Sequence, residues 1–183
     1  MPLLYALATC LLLLRAGEAV GRLPRLPPNG GLQAVTPRDL AGCWQVVPGV
    51  VGEGRPEPNW KQYSRVLGAL GTANRNFQYF SSPRGVGGES RAFVNLSEFF
   101  GSSVFAYTEG TYAPLKTKGQ LEATVTAINV RFLGLQLRIN VGGKGVVSVR
   151  YADKRQRVFE NEDGAVVLQE KVEIPKEYAD IFM

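Results

Sequence analysis

Tyr151–Leu168 reads YADKRQRVFENEDGAVVL, and this stretch decides the fold. Asp153 follows one apolar, alternating segment and Arg157 opens the next. Asn161-Glu162-Asp163-Gly164 then makes a turn. An Asp-Gly pair between strand-formers is a strong local hairpin signal, because glycine tolerates the positive φ of tight turns. Ala165-Val166-Val167-Leu168 is short, apolar and partly β-branched, as a buried strand requires. The segment therefore predicts antiparallel strands closed by short turns.

The same pattern extends upstream. Leu121, Ala123, Val125 and Ala127 alternate with polar residues, as do Leu135, Leu137, Ile139 and Val141. Such period-two patterns mark a sheet with one dry and one wet face. Phe77–Phe80, Arg91–Leu96 and Val104–Tyr107 read as further strands, and Leu40–Val47 as the first one. Gly142-Gly143-Lys144-Gly145 reads as a turn into Val147, Val149 and Tyr151. The 21 glycines of the 183-residue chain fit a turn-rich β fold. About eight or nine short strands at hairpin spacing predict a mainly β protein with one or two short helices. The pattern fits an antiparallel barrel or sandwich, and the barrel is preferred, since closure removes exposed strand edges. Thr36 and Pro37 have the composition of a helix start. Asn59 begins a second helical segment, with Trp60, Tyr63, Val66, Leu67 and Leu70 on one face.

The chain divides into a leader over 1–19, a Pro/Gly-rich linker over 20–35, a barrel domain over 36–175 and a tail over 176–183. Leu3–Leu14 is a mostly apolar run of signal-peptide length, too short to span a membrane, and a cut after Ala19 suits its small residues. Asn95-Leu96-Ser97 matches a glycosylation acceptor, which a position inside a short strand makes incidental.

Composition narrows the chemistry. The chain has no histidine, which removes Ser-His-Asp and Cys-His catalysis, histidine bases and histidine metal sites. No second acid–base partner accompanies Asp153, so no enzyme, metal or cofactor is expected. Cys43 beside Trp44 reads as a small core residue, and Cys10 lies in the leader. The net charge of +5 comes from dispersed residues, and no glycine-rich phosphate loop precedes a helix. Nucleic acid is not an expected partner.

Leu40, Gly42 and Trp44 form an L-x-G-x-W opening, and Tyr151, Asp153, Arg157, Gly164, Val167 and Leu168 form a closing pattern. Together they resemble the plastid lipid-associated proteins, or fibrillins, which are lipocalin-like. Gly110-Thr111-Tyr112-Ala113-Pro114 is similar to a mid-domain segment of that family. Ala152 and Val166 depart from its pattern, and the middle third matches poorly.

The resemblance implies a lipocalin-like barrel that binds, transports or shields a lipid, carotenoid or prenylquinone, with peripheral association to plastid membranes or plastoglobules. It also implies a structural latch in which Arg157 stacks on Trp44, with Asp153 pairing with Arg157 or capping the hairpin. Leu121, Val125, Leu135, Leu137, Ile139, Val147 and Val149 are the candidate ligand-lining row; the same residues would equally build a packed core. Small residues at Ala123 and Ala127 would leave space inside. Phe93, Phe99, Phe100, Phe105, Tyr107 and Tyr112 could line a mouth or touch a lipid surface, with core packing the favoured reading. A secreted or lumenal lipocalin-like carrier and a filled-barrel interaction domain are the alternative readings.

Overall fold

A computed structural model describes residues 36–47, 75–81, 91–162 and 164–182. The proposed leader, the linker and the helical segment over 59–70 lie outside the described residues. Helix α1 (Pro37–Leu40) opens the domain, and Thr36 donates both its backbone N–H and its hydroxyl to the Asp39 carboxylate. Eight strands follow: β1 (Gly42–Val46), β2 (Asn76–Phe80), β3 (Arg91–Glu98), β4 (Val104–Pro114), β5 (Gln120–Phe132), β6 (Leu135–Ala152), β7 (Gln156–Asn161) and β8 (Val166–Val172). A 3₁₀ turn (Lys176–Tyr178) and helix α2 (Ala179–Phe182) end the described chain.

The strands form a closed antiparallel barrel in sequence order, with β1 pairing β8 to complete the circle. The expected fold class is the observed one. Gly142–Gly145 is not a turn, however. It lies inside the single long strand β6, where Gly143 and Gly145 pair with Val125 and Ala123. The register shifts between Val125 and Ala127, opposite Val141 and Gly142. Glycine in a strand often marks such a bulge, and cross-strand pairing here overrides the local turn signal. The bulge also reverses facing, so Ile128 and not Ala127 continues the inward row of β5.

Directly opposed residues share a face, so the register identifies the interior. One level of the barrel runs Trp44, Gln78, Asn95, Thr108, Ile128 and Ile139 across β1 to β6. Below it, Phe80, Phe93, Tyr112 and Phe159 form an aromatic cluster packed with Leu121 and Val149. Phe80 meets Tyr112 edge-on at 4.7 Å between centroids. Gly110 is fixed by this packing, since a Cβ there would lie 2.2 Å from the Thr124 carbonyl and 2.7 Å from the Phe93 ring. Above the level, Ser97, Ala106 and Val130 are smaller.

The outer wall of β1–β4 carries a second cluster. Cys43, Phe77, Leu96 and Phe105 are covered there by Tyr178 and Phe182. The expected tail over 176–183 is thus a docked part of the domain over its described residues. Tyr178 donates to Glu98 at 2.6 Å, and Arg75 grips the same carboxylate with two hydrogen bonds at 2.6 and 2.9 Å.

Candidate functional site

Two regions draw in the residues singled out from sequence. The first is the closure around Arg157, whose side chain is fully buried. Its guanidinium lies 4.4 Å from the centroid of the Trp44 ring and 4.5 Å from those of Phe80 and Phe159. It donates to Gln169 Oε1 at 2.6 Å, Gln78 Oε1 at 2.7 Å and the Leu40 carbonyl at 3.0 Å. Trp44 Nε1 donates to that same carbonyl at 2.8 Å. The chain segment at Leu40, where α1 ends, is thereby tied to β1 and β7 at once. Gly42 follows with φ of +114°, a conformation open to glycine.

Burial holds the proton affinity of Arg157 well below the ordinary guanidinium value, because desolvation disfavours the charge. Three acceptors and three ring faces offset that cost. Asp153 does not take part. It accepts from the backbone N–H groups of Arg155 and Gln156 at 2.7 Å and from the Tyr151 hydroxyl at 2.5 Å. These bonds hold its carboxyl below the usual range and cap the β6–β7 turn, so the capping alternative is the one observed. Cys43 is buried in the outer cluster beside Trp44, and burial pushes its thiol up to about 11, far from a reactive thiolate.

The second region is the open end. The expected ligand row does not act as one wall. Leu121, Val125, Val147 and Val149 pack into the aromatic core. Ile139 stands half-buried at mid-height. Leu135 and Leu137 keep inward facing but are 75% and 60% exposed. The reason is topological: β7 pairs with β6 only from Val147 onward, so the far half of the β5–β6 hairpin projects beyond that wall.

The projecting tip joins Phe132 to Leu135 through Leu133 and Gly134, both with positive φ (48° and 85°). Two successive positive φ values make a primed hairpin turn, which favours Asn-Gly. A leucine there is strained, and this one is 70% exposed. The neighbouring β3–β4 tip is tied to it by the Leu133 N–H donating to the Ser103 carbonyl at 2.9 Å. That tip presents the exposed Phe100. Most of the exposed large apolar side chains among the described residues lie on these two tips. Sequence alternation found the inward face of Leu135 and Leu137 but carried no sign of where the opposite wall stops.

Asn95 is turned inward and buried, so the apparent glycosylation acceptor is not presented to solvent. Among the described residues, no group of three or more Cys, Asp or Glu side chains is placed to hold a metal, and no helix is long and apolar enough to cross a membrane. The chain matches no protein-family model, and no curated protein sequence matches it.

Proposed function

We propose that the barrel is a non-enzymatic binder of an apolar molecule, in the manner of the fibrillins that its two end motifs resemble, and that its open end rests on a lipid surface. The carrying observation is the cluster of Phe100, Phe132, Leu133, Leu135 and Leu137 on two adjoining tips. An exposed apolar patch of this kind suits a lipid or protein surface, and a strained leucine at its apex adds an energetic cost that polar alternatives avoid. The inner face of the hairpin runs from that patch into the barrel through Val130 and Ile128. An apolar molecule would pass from the surface along this face without crossing water, held by roughly 25 cal/mol for each Å2 buried. The resemblance adds a lipid, carotenoid or prenylquinone as the ligand class and the plastid as the location.

Flotation with vesicles of phosphatidylcholine and phosphatidylglycerol tests the surface. Leu133→Asn combined with Leu135→Ser and Leu137→Ser is expected to abolish flotation without lowering thermal stability. Equal flotation of both proteins would refute the membrane-facing role. Extraction of purified protein, followed by mass spectrometry, tests the ligand. The filled-barrel alternative draws on the aromatic cluster of the lower half, and it gains if repeated preparations yield no lipid and take none up. A fluorescent fusion of the full chain decides between plastid and secreted locations.

A further inference from the structure

The upper barrel contains a polar pair that neither the latch nor the apolar face uses. Asn95 on β3 and Thr108 on β4 are directly opposed and point inward. They are 7% and 1% exposed. Asn95 Oδ1 and Thr108 Oγ1 are buried without a hydrogen-bond partner among the described residues. Leaving such an atom unpaired is unfavourable, and apolar residues at the same places would avoid it. Their neighbours on this level are Gln78, whose oxygen accepts from Arg157, and the apolar Ile128. Arg157 is itself already engaged by three acceptors.

We infer that Asn95 and Thr108 form a head-group site for the hydroxyl of an otherwise apolar molecule, an inference that rests on the barrel being an apolar-molecule binder. The donor and acceptor chemistry selects the group. A hydroxyl donates its hydrogen to Asn95 Oδ1 and accepts one from Thr108 Oγ1, so one atom satisfies both. An ether or ketone oxygen has no hydrogen to give and leaves Asn95 Oδ1 unpaired. A carboxylate likewise has no hydrogen to give and sets its negative oxygens against the lone pairs of Asn95 Oδ1. A hydrocarbon leaves both atoms unpaired. With the hydroxyl at Asn95 and Thr108, the apolar body lies along Ala106, Ile128 and Val130 toward Leu137 at the open end. Long-chain alcohols and other single-hydroxyl lipids have this form.

The test uses the full chain and displacement of a fluorescent fatty probe by 1-hexadecanol, by its methyl ether and by palmitate. Wild type is expected to bind the alcohol at least about tenfold more tightly than the ether, the scale of one mismatched buried polar group. Asn95→Leu and Thr108→Val should each reduce that preference to about twofold or less while still binding the ether, and Thr108→Ser should keep it. Alcohol and ether binding wild type equally would overturn the head-group site and leave the apolar-binding reading intact. Such a result would mean that the pair holds structural water only. Failure of every probe to bind would overturn both. Thermal melts of each variant separate a lost site from a lost fold.

Discussion

At Arg157 a single side chain meets three acceptors and three rings, so its removal is expected to cost far more than an exposed arginine would. Arg157→Ala leaves the Leu40 carbonyl and two glutamine oxygens without that donor and opens a void. We expect a loss of about 3–5 kcal/mol in urea unfolding. Arg157→Lys cannot present the planar fork and should fall between the two. Gly110→Ala forces a methyl against the Thr124 carbonyl and should cost about 1–3 kcal/mol by the same measurement. Cys43 gives a pH signature. Its thiol titrates near 8.5 in an unfolded chain and near 11 when folded, so the folded state favours the protonated form. That contribution is complete below about pH 8.5 and is lost as pH rises toward 11. Cys43→Ala should flatten the first part of the stability decline above about pH 8.5, while the tyrosines, which titrate near 10 in the unfolded chain, keep the steeper decline at higher pH in both proteins. The sequence made the stacking of Arg157 on Trp44 readable through its end motifs. It did not reveal Phe80 and Gln78, which come from the distant strand β2, nor Gln169, whose place opposite Arg157 depends on the exact register of the β7–β8 hairpin.

Among the elements, the β6–β7 turn and the long β5–β6 hairpin show what local pattern does and does not determine. For Asp153 the sequence left two roles open, pairing with Arg157 or capping the hairpin, and the bonds from Arg155 and Gln156 decide for the cap. Its replacement by alanine should cost about 1 kcal/mol, at the low end for charged hydrogen bonds because the turn is exposed, and Asn should restore most of it. A thermal melt of the three proteins checks this. The glycine run of β6 misled by composition. Its residues are extended, and a side chain at Gly142 or Gly145 would meet open space, so no tight turn demands them. Alternation gave the facing of Leu135 and Leu137 correctly. Their burial depended on a wall that ends at Val147, a fact held in strand pairing and not in either strand alone.

As a whole, the molecule is a barrel with a packed aromatic half, a polar and small-residue half, and an outer wall sealed by its C-terminal segment. That seal was not visible in the sequence, where the last residues look like a tail. Tyr178 is fully buried between Phe77 and Phe105. Tyr178→Ala should cost about 3–5 kcal/mol in chemical denaturation, and Tyr178→Phe about 1–2 kcal/mol through the bond to Glu98. The eight-strand closure was legible in outline, since hairpin spacing and alternation repeat along the chain. The division of the interior into two halves was not, because it arises from which inward residues share a level once all registers are set.

The pairing of β1 with β8 carries a consequence for the order of events in synthesis. Cys43 faces Val172 across that ladder, so the earliest strand must wait for the latest before either edge is covered. Until then the nascent chain presents two unpaired strand edges to its surroundings. Contacts this distant in sequence slow the search for the native state. The barrel therefore remains an open ribbon until β8 is available to pair with β1.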